Sequence, residues 1–103
     1  MFKGIRTSIL FGKASGLALK GKYQEAKKAI DRCFELGFEA EILAHAIKGE
    51  IECELGNFSE AERSLKIVFN DVEQNPNKWT SDHDKLILKR VKFFWEKIQN
   101  KKT

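Results

Sequence analysis

The sequence is poor in proline and cysteine, with a single proline and two cysteines. Together with only seven glycines, this leaves little room for disordered linkers, so we expect residues 1–103 to form one folded domain. Cys33 and Cys53 lack the spacing of a redox pair or a metal site, and the two histidines, His45 and His83, are far apart in the sequence. We therefore predict two reduced, buried thiols, no bound metal and no cofactor.

Long apolar runs are missing as well. No stretch approaches the roughly 20 apolar residues that a membrane-spanning helix needs. The apolar run near the N-terminus, residues 9–11, is too short for the core of a secretory signal peptide. We expect a cytoplasmic protein with no membrane partner.

Catalytic motifs are also absent from the sequence. Serine, cysteine and histidine residues form no nucleophile–base pattern, and no glycine-rich loop precedes a helix in a phosphate-binding context. His45 lies in the apolar stretch "ILAHAIKG", where a structural histidine is expected. We predict that the protein is not an enzyme.

Charge is unevenly distributed along the chain. The first 22 residues contain no acid and carry +5, residues 23–62 carry −6, and residues 63–103 carry +5. A partner senses charge within a Debye length of about 10 Å, so this local pattern matters more than the net value.

What the sequence does contain is helical periodicity. β-branched residues are sparse and strand-like alternation is absent, so the predicted fold class is all-α, with antiparallel helical hairpins. Ser59 with Glu62 predicts a capping box, and Ser81 predicts a second helix start. The five predicted helices span about 7–20, 23–36, 40–55, 59–74 and 81–100.

One hexapeptide pattern occurs twice, as "GKYQEA" at 21–26 and as "GNFSEA" at 56–61. In each copy the glycine permits the chain to leave a helix, the aromatic residue is expected to wedge into the hairpin, and the alanine permits close helix packing. A helix–turn–helix unit recurring at this interval is typical of helical repeat arrays. The predicted structural turn residues are Gly21, Tyr23, Ala26, Gly56, Phe58 and Ala61.

This pattern resembles the tetratricopeptide repeat (TPR) family. The resemblance covers one unit at about 8–38 and a second at about 40–75, and the helix at 81–100 resembles the solvating C-terminal helix of such arrays. In the second unit, two features of the first helix predict different registers. The apolar stripe of Ile47 and Ile51 predicts one, and Gly49, at the glycine position of the family, predicts another that differs by one residue. We follow the apolar stripe, which takes Gly49 out of the helix contact.

The resemblance implies that a peptide or protein partner binds the concave surface lined by the first helix of each unit. The acidic run around 50–54 belongs either to this surface or to a solvated helix face, and we leave both readings open. The implied partner-binding residues are Phe11, Ser15, Leu19, Leu43, Ala46, Glu50, Cys53 and Glu54.

The last helix has more apolar residues than one stripe can hold. Ile87, Val91, Phe94 and Ile98 form the expected core line. The remainder are either packed on a second side within the chain or exposed to a partner or a second copy, and we favour exposure. The predicted partner or self-association residues are Leu88, Lys92, Phe93 and Trp95.

The leading functional hypothesis is therefore a non-enzymatic scaffold that binds an unidentified protein, with homo-oligomerisation left open. An alternative is a bacterial immunity or antitoxin-type protein that neutralises a cognate toxin. A third hypothesis is an RNA-binding accessory protein that uses the basic and aromatic last helix, although nucleic acid is the less favoured partner.

Overall fold

The computed structural model describes residues 2–37 and 41–102, with side chains at 9–37 and 42–101. This part of the chain contains five α-helices, one short 3₁₀ turn and no strand, which confirms the all-α fold class. The helices are α1 (Phe2–Leu19), α2 (Tyr23–Glu35), α3 (Glu41–Glu54), α4 (Phe58–Gln74) and α5 (Asp82–Lys102), and the 3₁₀ turn is Pro76–Lys78.

The repeated hexapeptide forms the same helix ending in both copies. Gly21 and Gly56 have φ angles of 78° and 83°, in the left-handed region that favours glycine. In each copy the N–H of the residue after the glycine donates to a carbonyl oxygen five residues back, which is the long hydrogen bond of a Schellman motif. These bonds join Lys22 to Leu17 (2.9 Å) and Asn57 to Glu52 (2.8 Å).

The start of α5 confirms one capping prediction. The Asp84 N–H donates to the Ser81 hydroxyl oxygen (3.0 Å), and the Ser81 N–H donates to the Asp84 carboxylate (3.3 Å). The capping box predicted at Ser59 is wrong, because α4 already begins at Phe58 and Ser59 lies inside it. Asn57 precedes α4 without a side-chain capping bond.

The helices pack as two hairpins followed by a single helix. α1 packs on α2 and α3 on α4, while α3 also contacts α1 and α2, and α5 contacts α3 and α4. Ala26 and Ala61 are completely buried, as expected of small residues at the hairpin contacts. One apolar cluster joins α1, α2 and α3, and a second joins α3, α4, α5 and Trp79.

The position of Gly49 differs from the prediction, which took this residue out of the contact between helices. A Cβ atom at Gly49 would lie 2.7 Å from Cγ of Leu65 and closer still to Cδ2, so this glycine is at the contact with α4. Ile51 is also fully buried and belongs to the cluster shared with α1 and α2. Because α3 contacts α1, α2 and α4, Gly49 and the apolar stripe are buried together against different helices.

Candidate partner-binding surfaces

α5 covers the α3 part of the predicted concave surface. Ala46 and Cys53 are 8% and 3% exposed, and they belong to the same apolar cluster as Val91 and Phe94 of α5. Leu43 is half-buried against this cluster. These residues are therefore core residues in the folded chain, which differs from the accessible surface that the resemblance implies.

The acidic residues of α3 are bound to cations from α5. Glu50, which is 5% exposed, forms an ion pair with Arg90, and Glu54 accepts a hydrogen bond from Lys97 at 2.6 Å. Burial raises the pKa of Glu50, although Arg90 opposes this effect. The hydrogen bond to Glu54 raises the pKa of Lys97. Both carboxylates therefore make direct contacts between α3 and α5.

A third carboxylate links α3 to α2. Glu52 is 1% exposed and accepts hydrogen bonds from Lys27 Nζ at 2.6 Å and from Asn57 Nδ2 at 3.1 Å. The hydrogen bond to Glu52 is the main cause of the raised pKa of Lys27. The acidic run of α3 is thus neither a solvated face nor an open binding surface, because its three glutamates are bound within the chain.

The α1 part of the predicted surface is more open. Phe11 is half-buried against the first apolar cluster, and Ser15 is half-buried. Leu19, at the end of α1, is 74% exposed. Of the eight implied concave-face residues, Leu19 is the one that presents a large apolar side chain to solvent.

The apolar residues of α5 divide between the core and the surface. Val91, Phe94 and Ile98 are buried, which confirms the predicted core line. Trp95 also packs inward, with its ring edge-on to Phe69 at a centroid distance of 5.4 Å. Leu88 is half-buried against the same cluster. The expectation that Leu88 and Trp95 are exposed is therefore wrong, because α4 covers this side of the helix.

Phe93 remains exposed, and it is joined by a residue that the sequence reasoning missed. Phe93 is 61% exposed and Leu86 is 62% exposed. They are seven residues apart, so they lie on one helix face, two turns from each other. The ring of Phe93 is held edge-on to Phe94 at 5.1 Å. The i, i+7 spacing is the signal that could have identified Leu86.

We call the surface formed by Leu86, Lys89 and Phe93 the α5 outer face. Lys89 is exposed between the two apolar residues, and the exposed Arg90 lies on the adjoining strip of the helix. Lys92, predicted to belong to this surface, is exposed but lies about 100° around the helix from Phe93. The α5 outer face is therefore apolar with a positive charge.

The described part of the chain shows no cluster that could form a metal site. No three histidine, cysteine, aspartate or glutamate residues are grouped there closely enough to hold a metal ion. Among the same residues, no helix combines the length and the apolar character needed to cross a membrane. His45 packs against the ring of Phe34 with centroids 4.8 Å apart.

Comparison with protein-family models, curated proteins and solved structures finds no match to this chain.

Proposed function

We propose that this chain is a non-enzymatic protein-binding module built from two TPR-like hairpins, and that it binds a protein partner through the α5 outer face. The observation that carries the proposal is the pair of large apolar side chains, Leu86 and Phe93, each more than three-fifths exposed. Aromatic residues are frequent binding hot spots, and the ring of Phe93 packs at a right angle to that of its neighbour Phe94.

The resemblance to TPR proteins supports the module rather than a particular partner. The two helical hairpins share the same glycine turn and the same packed alanine, as expected of consecutive repeat units. The α3 residues that the resemblance assigned to the concave site are engaged by α5. We therefore move the proposed partner contact from α3 to α5.

Affinity capture with matched variants tests this proposal. The tagged chain and its Leu86→Ser/Phe93→Ser and Leu19→Ser variants would be incubated with native lysate, and bound proteins would be quantified by mass spectrometry. We expect one stoichiometric protein to be lost with the α5 variant and retained with Leu19→Ser, because Leu19 is even more exposed but lies on α1. Loss with Leu19→Ser instead would favour the α1 end of the concave surface.

The identity of the captured protein separates the scaffold from the immunity alternative, since a toxin partner would identify the latter.

For the RNA alternative, two cations of α5, Arg90 and Lys97, are already paired with α3 glutamates. This reduces the charge available for phosphates. RNA binding whose affinity falls steeply with salt would nevertheless replace the protein-binding proposal.

A further inference from the structure

A groove lies between α1 and α2, at the opposite end of the helix order from α5. Its volume is about 440 Å³, and the described side chains that line it all come from these two helices. The lining residues are Leu10, Lys13, Leu17, Glu25, Lys28, Ala29 and Arg32.

The floor of the groove is apolar. Leu10 and Leu17 are half-buried and seven residues apart on α1, and Ala29 faces them from α2 with 6% exposure. An adjoining hollow of about 270 Å³ extends the floor with Leu36 and with Ile9, which is 66% exposed. The apolar strip is thus at least two helical turns long, or about 10 Å.

The rim of the groove is positively charged. Lys13, Lys28 and Arg32 are exposed there, against one acidic residue, Glu25. Arg32 also pairs with Glu35 at 2.8 Å, but both side chains are more than half exposed and such pairs contribute little. The groove therefore favours an occupant with negative charge on both sides of an apolar stripe.

Charge argues against seating the α5 outer face of a second copy in the groove. That face carries the exposed Lys89 between its two apolar residues. Placing this cation against Lys28 and Arg32 would bring like charges together, which is unfavourable at an interface. An occupant with acidic residues beside its apolar stripe would instead meet opposite charges at the rim.

The packing of the other helices in this chain argues for a helix as the occupant. Within this chain, α3 lies against both α1 and α2, and α5 lies against both α3 and α4. Paired helices therefore accept a third helix along their shared groove by ridge-into-groove packing. We propose that the α1–α2 groove binds an acidic amphipathic helix of a partner protein. This site is separate from the α5 outer face and does not depend on it.

The probe for this site is a synthetic helical peptide of about 15 residues, long enough to span about 22 Å. It carries leucines at i, i+4, i+7 and i+11 and glutamates beside that stripe. A matched control peptide has lysine at every glutamate position. Binding to the ¹⁵N-labelled full chain would be followed by NMR and by fluorescence anisotropy. We expect the acidic peptide to shift amide signals around Leu10, Leu17 and Ala29, and the basic peptide to leave them unchanged.

Charge-reversal variants locate the contact without disturbing the apolar floor. Lys28→Glu/Arg32→Glu alters exposed side chains of the rim. Lys66→Glu/Lys85→Glu alters exposed lysines of α4 and α5, away from the groove, and is the matched control because it changes the net charge by the same amount. Desolvated opposite charges contribute to affinity, so we expect the rim variant to weaken acidic-peptide binding about tenfold or more and the control to change it little. Circular dichroism and melting would establish that both variants keep the wild-type fold.

Three outcomes would overturn the proposal. The first is absence of shifts at α1 and α2 at about 1 mM acidic peptide, a concentration that detects even weak binding. The second is equal binding of the acidic and basic peptides. The third is a set of groove signals that move on dilution of the chain alone, with a matching dimer in sedimentation, because a second copy would then occupy the groove.

Discussion

Replacing Gly49 by alanine tests how closely α3 and α4 approach each other. The added methyl group would lie 2.7 Å from Cγ of Leu65, whereas unstrained carbon atoms stay about 3.5–4.0 Å apart. Leu65 is fully buried, so its side chain cannot turn away without entering space held by its neighbours. We therefore expect Gly49→Ala to force the two helices apart or to strain the Leu65 side chain.

Two opposing terms set the size of the effect. Alanine is favoured over glycine inside a helix by about 1 kcal/mol, and overpacking a core costs about 1–3 kcal/mol. The expected result is therefore a net loss of up to about 2 kcal/mol in the free energy of unfolding, instead of the gain that alanine brings to an open helix position. For a domain of this size, that corresponds to a fall of up to about 15 °C in Tm.

Urea and thermal unfolding monitored by circular dichroism would measure this change, and the chain supplies its own control. Gly12 lies inside α1, and a Cβ atom there would meet nothing within 4 Å. Gly12→Ala should therefore gain about 0.5–1 kcal/mol from helix propensity alone. The double variant Gly49→Ala/Leu65→Ala should be less destabilised than the sum of its parts, because the second change removes the clash. An equal gain in stability for Gly49→Ala and Gly12→Ala would refute the reasoning.

Two further predictions concern the buried carboxylates of α3. The raised pKa of Glu50 means that the folded state favours its protonated form, so its contribution to stability is largest below the usual pKa of about 4.3 and falls as pH rises. In the Glu50→Gln variant, the free energy of unfolding should therefore decline less steeply above that pH. Its value at pH 7 should not fall, even though Arg90 loses its ion-pair partner. A clear loss of stability at pH 7 in urea titrations would contradict this. Lys27→Met should cost about 3 kcal/mol, because the buried carboxylate of Glu52 would lose its cation. Lys28→Met, on the exposed neighbouring lysine, should change the urea midpoint little.

Local signals in the sequence predicted the hairpins well. Interactions within a few residues determine the glycine turns and the packed alanines, so a short stretch of sequence is enough to predict them. These residues are Gly21, Gly56, Ala26 and Ala61. The capping box predicted at Ser59 is wrong because that prediction, too, used only neighbouring residues. It satisfies a local rule, but the preceding turn starts α4 at Phe58 and places Ser59 inside the helix.

The candidate surfaces were harder to predict. The concave-face assignment of Ala46 and Cys53 required α3 to be open, and the position of α5 decides otherwise. Leu88 and Trp95 could not be assigned from periodicity, because a helical wheel gives the width of an apolar face but not the number of neighbours that cover it. The groove between α1 and α2 gave no sequence signal beyond the acid-free first 22 residues.

The sequence by itself determined the all-α class, the two matching turns, the cap at Ser81 and the core line of α5, because each depends on residues close together in the chain. Only the tertiary structure decided which surfaces remain open. The partners of Glu50 and Glu54 lie 40 and 43 residues away, and no local pattern encodes that distance. Once α5 is bound to those carboxylates, the α3 surface is closed, and Leu86, Phe93 and the α1–α2 groove remain available to a partner.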